Sequence, residues 1–179
     1  MSIQIYNSLT KQKEVLQPLA GRTIRMYACG VTVYDRCHIG HARSLYVFDV
    51  IRKYLQARDY EVCFVRNITD IDDKIINKAR ELGRASREVS EENIRAYYED
   101  MAALGIDRAD IEPKATDNIP DMIRHIEGLT AKGLAYAVDG DVYFSVRKFP
   151  AYGRLSGQSP ERMLEAVRIE PDTKKRDPL

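Results

Sequence analysis

The residues best placed by type and spacing to do chemistry are two histidines, His38 and His41, in the run Cys37-His38-Ile39-Gly40-His41. The run stands where one periodicity gives way to another. Before it, Ile24, Met26 and Ala28 alternate as in a strand. After it, Leu45, Val47, Phe48, Ile51, Tyr54 and Leu55 recur at helical spacing. A helix that starts just after a strand offers backbone N–H groups without internal partners and the positive end of its macrodipole. Imidazoles at i and i+3 are neighbours on that turn, and Gly40 is expected to let a ligand approach the backbone closely. Free amides, a dipole and two ring donors suit the phosphates of a nucleotide. They would stabilise charge developing during in-line attack on phosphorus, with no covalent step. A bare His-x-x-His is more often a pair of surface residues. The preceding strand and the enclosed glycine are what raise it above that.

The cysteines are Cys29, Cys37 and Cys63. A sparse, odd set with no Cys-x-x-Cys offers neither a disulfide framework nor a complete zinc site by spacing. Cys63, inside Val62-Cys63-Phe64-Val65, reads as core. Cys29 closes the strand just before Gly30; from spacing alone a free buried thiol is the default reading for it as well. Thr69 stands after the second strand, where its hydroxyl could cap the helix that follows and still form a second bond. Asp70, Asp72 and Asp73 could gather Mg²⁺, but acidic residues also favour a helix N-terminus, and that reading is preferred. Gly30 and Thr32 line the same loop; packing accounts for Tyr27, Tyr34 and Asp35 as well as any ligand does.

The elements that must hold these residues follow from pattern. The chain has 179 residues, 44% hydrophobic and 31% charged, with net charge +1. That suits one domain with an insertion. No apolar run is long enough to span a membrane, and the N-terminus lacks the pattern of a secretory signal, so a cytoplasmic location is expected. The charge total carries no footprint for nucleic acid. Residues 3–7 alternate as an edge strand, and 8–21 read as a turn or hairpin. A strand over 23–29, a helix over 41–56 and a strand over 61–66 make a βαβ unit with parallel strands. Ligands in such sheets bind at the carboxyl ends of the strands. That places Cys29 and residues 67–70 on one rim beside His38 and His41. Helices follow over 72–82, ended by Gly83, and over a stretch capped by Ser86 or Ser90 with Ile94, Tyr97 or Tyr98, Met101 and Leu104 inward. Pro113 marks a boundary. Ile119, Met122, Ile123, Ile126 and Leu129 form the stripe of another helix, and Asp139-Gly140 between two alternating runs is a hairpin signal. Beyond Phe149 turn formers accumulate, and the polar end over 170–179 has the composition of a frayed terminus.

The string His38-Ile39-Gly40-His41 after a strand resembles the signature of class I aminoacyl-tRNA synthetases. The longer run from Met26 through Arg43, with Asn67-Ile68-Thr69-Asp70-Ile71-Asp72-Asp73-Lys74, resembles the cysteinyl-tRNA synthetase family in particular. The resemblance covers essentially the whole chain and implies an α/β fold. Residues 1–112 would be the first half of a Rossmann-like nucleotide-binding domain, and 113–179 the start of an inserted connective segment. It implies cysteine activation by ATP and transfer to tRNA(Cys). His38 and His41 would be catalytic, and Val31, Thr32, His38, Ile39, Gly40 and His41 would bind ATP with its Mg²⁺. Cys29, Gly30 and Thr69 would meet L-cysteine, with Cys29 as one ligand of a zinc ion that takes the substrate thiolate. The family's Lys-Met-Ser-Lys-Ser loop, its other zinc ligands and its anticodon-binding region have no counterpart here. The resemblance therefore matches only the N-terminal part of such an enzyme; the chain is expected to be inactive alone, and a monomer. Two other readings remain open: a ligase that passes cysteine to an amino-sugar, and a non-catalytic binding module.

Overall fold

The computed structural model describes residues 2–159, 162–163 and 174–176. In chain order the elements are β1 (Gln4–Asn7), β2 (Gln12–Val15), β3 (Thr23–Ala28), α1 (Ile39–Ala57), β4 (Glu61–Arg66), α2 (Asp73–Leu82), α3 (Ser86–Ala103), α4 (Ile119–Ala131), β5 (Ala135–Val138) and β6 (Asp141–Phe144). They fall into two compact units, Pro18–Ile119 and Met1–Gln17 with Pro120–Leu179.

The unit over 18–119 is built on the expected βαβ. β3 and β4 pair in parallel from Thr23↔Glu61 to Ala28↔Arg66, with α1 as the crossover. The pairing continues past the strand tips, where Thr32 bridges Thr69. Residues 110–115 then run parallel along the second edge of β4. Arg66 N donates to Ile111 O, Ile68 N to Pro113 O, and Ala115 N to Ile68 O. This differs from a boundary at Pro113. Proline lacks only the N–H, and here its carbonyl is what the sheet edge uses. The unit therefore closes at Ile119, and the N-terminal residues expected within it are grouped with the other unit.

Val31, Val33, Ala42, Leu45, Ile68, Ile75, Ile94, Tyr97, Met101 and Ile106 form the core. It joins the loop after β3 to α1, the end of β4, α2 and α3, so the strand tips rest directly on packed side chains. α1 splits its predicted stripe. Leu45 and Leu55 are buried, whereas Val47, Ile51 and Tyr54 are exposed with Tyr46 and Val50. The helix is apolar on more than one side, and periodicity alone does not choose the buried face. On β4 the buried side chains are Phe64 and Arg66; Cys63, expected in the core, is half-buried.

Asp72 caps α2, its Oδ1 accepting from Lys74 N at 2.9 Å, and Gly83 ends the helix at φ 62. Thr69 is therefore not the cap. Asp70 is not a helix-end charge either: it is buried and accepts from the N and Oγ1 of Thr116 at 3.0 and 2.5 Å. Neither serine caps α3. Ala85 holds the cap position without a side-chain bond, Ser86 is already helical, and Ser90 donates back to Arg87 O.

In the other unit β1 and β2 form an antiparallel hairpin, and Lys11 Nζ donates to Leu155 O at 3.2 Å. β5 and β6 pair around Asp139 and Gly140, both at positive φ (49 and 89), the geometry of a type I′ turn. The predicted stripe of α4 is largely exposed, with Leu129 half-buried. The polar end over 170–179 lies, apart from 174–176, outside the described residues. Among the described residues no helix is long and apolar enough to cross a membrane.

Candidate functional site

Two histidines cap α1, and each does so through the other's part of the backbone. His38 is the N-cap, in extended conformation. Its Nδ1 accepts from Gly40 N at 3.0 Å, and its own N–H donates to Nδ1 of His41 at 3.3 Å. This is a capping box in which imidazoles replace the usual hydroxyl and carboxylate. Both Nδ1 atoms act as acceptors toward backbone N–H, so both rings are neutral with the proton on Nε2. The ring centroids lie 4.1 Å apart at a tilt of 40°. Partial burial, and then the neighbouring His38, hold the pKa of His41 below its usual range, which favours its neutral form.

This changes the expected role of Gly40. A Cβ there would lie 2.7 Å from Cε1 and 2.9 Å from Nδ1 of His38. Glycine here makes room for the imidazole itself. The amides expected to be free are partly taken, Gly40 N by His38 Nδ1 and His41 N by His38 O. What the helix start carries instead is a pair of Nε2–H donors.

The second part of the site is the loop after β3. Cys29 is exposed. Gly30 passes so close to the tip of β4 that a Cβ would fall 1.5 Å from Asn67 O, so only glycine fits. Gly30 N donates to Asn67 Oδ1 at 3.0 Å, the Tyr27 hydroxyl donates to the same oxygen at 2.9 Å, and Asn67 Nδ2 donates to Thr69 Oγ1 at 3.2 Å. Thr69 N donates to Val31 O and Val33 N to Thr69 O. The structure thus brings Cys29, Gly30, Thr32 and Thr69 onto one rim through backbone and side-chain bonds. Val31 is on that rim by its carbonyl alone, since its side chain is in the core, and Ile39 is exposed on the first turn of α1.

Tyr34 packs on the core with Lys74 Nζ 5.3 Å from its ring centre. Asp35 accepts from Arg36 N and Lys78 Nζ, and the Arg36 N–H holds its carboxyl below the usual range. Both are explained by structure. A cleft of 420 Å³ beside Asp70 is lined among others by Ser86, Arg87, Ser90, Lys114 and Thr116, and by none of the predicted site residues. Sequence reasoning placed Asn67 on the rim with residues 67–70 but gave its side chain no role; the structure gives it three hydrogen bonds. Among the described residues no group of three or more His, Cys, Asp or Glu side chains is arranged to hold a metal ion.

With this geometry in view, comparison with known proteins is informative. The model of the family described as tRNA synthetases class I (C) catalytic domain matches residues 15–179. A cysteine–tRNA ligase of Syntrophobacter fumaroxidans is 52% identical over 179 residues, all of this chain and 36% of its own length. One from Anoxybacillus flavithermus is also 52% identical over all of this chain and 38% of its length. The chain thus spans little more than a third of these relatives. Among solved structures, Mycobacterium tuberculosis methionyl-tRNA synthetase with methionyl-adenylate superposes with TM-score 0.60 at 19% identity, over 65% of this chain and 23% of its own. A ternary complex of Agrobacterium radiobacter LeuRS with tRNA and LeuAMS gives 0.58 at 20% identity, over 66% and 16%. These two likenesses concern the fold alone.

Proposed function

Because the chain belongs to the family of class I (C) tRNA synthetase catalytic domains, we propose that the whole protein activates L-cysteine with ATP and transfers the cysteinyl group to tRNA(Cys). In the first step a carboxylate oxygen of cysteine attacks the α-phosphorus. The bond to the bridging oxygen breaks, and pyrophosphate leaves with the electron pair. The observation that carries this reading is the paired imidazoles of His38 and His41, fixed in one tautomer by the backbone they cap. Two oriented Nε2–H donors at a helix start stabilise negative charge as it grows on the phosphoryl oxygens, without exchanging a proton. Thr32, Ile39 and Gly40 lie in the backbone around that start and would flank the nucleotide. Val31 would contribute its main chain only. Magnesium would arrive with the ATP phosphates as part of the substrate.

Selecting cysteine over serine asks for more than shape, since an apolar pocket separates near-isosteres by only about 10–200-fold. A zinc ion would supply the chemistry, binding a soft thiolate in preference to a hydroxyl. The exposed Cys29 thiol fits as one donor, but the described residues do not by themselves form a metal site. Cys29, Gly30 and Thr69 are assigned to the amino acid by their common rim.

The test is cysteine-dependent ATP–pyrophosphate exchange by the whole protein, followed by an acceptor assay with tRNA(Cys) against an amino-sugar. The reading requires exchange with cysteine, little with serine, and charging of tRNA. Exchange that cysteine does not stimulate, or transfer to the amino-sugar alone, would overturn it. Cys29→Ser is expected to lose zinc and raise the KM for cysteine together; a variant that kept its zinc would remove Cys29 from the ligand set.

A further inference from the structure

Asn67 makes three hydrogen bonds, and their directions fix the polarity of a fourth group. Gly30 N can only donate, so the amide oxygen of Asn67 must face it. That oxygen also accepts from the Tyr27 hydroxyl, which uses both of its lone pairs. The Nδ2 group therefore faces Thr69 and donates to its Oγ1. A hydroxyl that accepts on one side must direct its own proton elsewhere. The Thr69 backbone is held at both N–H and C=O by residues 31 and 33, which fixes where its side chain leaves the main chain, and the bond from Asn67 Nδ2 holds the hydroxyl oxygen itself. We infer that Asn67 is a positioning residue for the amino-acid pocket. It ties the Cys29–Gly30 loop to the second strand tip and sets the Thr69 hydroxyl as a proton donor toward the bound cysteine. This rests on the proposed activity for its ligand and on the three bonds for its geometry.

Asn67→Asp separates the two functions. The isosteric carboxylate still accepts from Gly30 N and Tyr27, but its second oxygen takes the Thr69 proton and reverses that hydroxyl. Asn67→Ala removes the whole bracket. In the whole protein, Asn67→Asp is expected to raise the KM for cysteine about tenfold or more, the scale of one lost directed hydrogen bond, with the KM for ATP unchanged. Thr69→Val should give a similar rise. Asn67→Asp added to Thr69→Val should do no further harm, because no hydroxyl remains to be turned. An unchanged KM for cysteine in Asn67→Asp would overturn the inference. So would an equal rise for ATP, or a full tenfold loss from adding Asn67→Asp to Thr69→Val, which would mean that the new charge repels the substrate directly. A second readout does not depend on activity. Hydrogen exchange at the Gly30 amide should stay slow in Asn67→Asp and become fast in Asn67→Ala; equal rates in the two would dissolve the bracket. A parent protein without cysteine-dependent exchange would count against the proposed function, while the Gly30 amide would still decide the bracket.

Discussion

At the scale of single residues the histidine pair was legible by type and place, but its internal bonding was not. A sequence does not say that Nδ1 of each ring will take a backbone N–H. It also gives no reason to assign Gly40 to the ring of His38 rather than to a ligand. These contacts give a titration prediction. The pKa of His41 is lowered from its ordinary value of 6.5, so between the two values the unfolded chain binds the proton more readily. The associated stability is present above 6.5 and is lost as pH falls through the lower, folded value. Protonation also turns His41 Nδ1 into a donor facing the His38 N–H and breaks the cap. Nitrogen-15 NMR should find both neutral rings protonated at Nε2 and His41 titrating below 6.5, with exchange activity falling over the same range. A His41 signal from the Nδ1–H tautomer would remove the basis of the donor pair. His41→Ala should lower the rate of adenylate formation by about a hundredfold or more, the scale of one lost transition-state donor, and leave the KM for cysteine nearly unchanged.

At the scale of elements, β3, α1, β4, α2 and the β5–β6 hairpin stood in the sequence as periodicity bounded by glycine and turn signals. Residues 110–115 did not. They are too short to show alternation and contain Pro113, which reads as a break until its carbonyl is seen bonded to Ile68 N. The start of α3 misled for a related reason. Serines near a helix start suggest a cap, whereas Ser86 is already inside the helix and Ser90 bonds backward to Arg87 O. The close passage of the two strand tips gives the prediction at this scale. Gly30→Ala would drive a Cβ to 1.5 Å from Asn67 O, and no rotamer can relieve a clash between backbone atoms. The tips must part, breaking the Gly30–Asn67 bond and straining the Thr32–Thr69 bridge. Thermal unfolding should shift down, and cysteine-dependent exchange should be lost rather than slowed. Gly83→Ala is the contrast. No atom lies within 4 Å of a Cβ there and the strain is only that of φ 62, so it should cost about 1 kcal/mol of stability and leave the site working.

Over the molecule as a whole, the feature that hydrophobic patterning hid most completely is a buried charge. Arg66 closes β4 between the rings of Phe64 and Tyr97, 5.6 and 5.9 Å from their centres. Its partner Glu112, with a side chain 5% exposed, accepts from Arg66 Nη2 at 3.3 Å. Glu112 also accepts from Arg108 Nε at 2.8 Å, the Tyr98 hydroxyl at 3.0 Å and Ala109 N at 3.2 Å. Burial, opposed in part by Arg66, pushes Tyr97 up to about 12; burial and then Glu112 push Tyr98 up to about 12. Stability from these phenols is full below the ordinary value of 10.0 and is lost as pH rises toward 12. Glu112 thus fastens residues 108–115 to the strand whose tip carries Asn67 and Thr69. Glu112→Gln keeps an acceptor for Ala109 N at one position, puts an amide NH2 where the other oxygen met the Tyr98 hydroxyl, and leaves the guanidinium without a counter-charge, a loss of about 3–5 kcal/mol for a buried pair. The amides of Arg66 and Ile68 report it directly, since they donate to Ile111 O and Pro113 O. Their exchange should accelerate by about a hundredfold or more in Glu112→Gln. In Arg66→Met with Glu112→Gln, where no charge is stranded, the rates should recover much of the way toward the parent. If the double variant exchanges faster than Glu112→Gln alone, the ion pair is not what holds residues 110–115 in place.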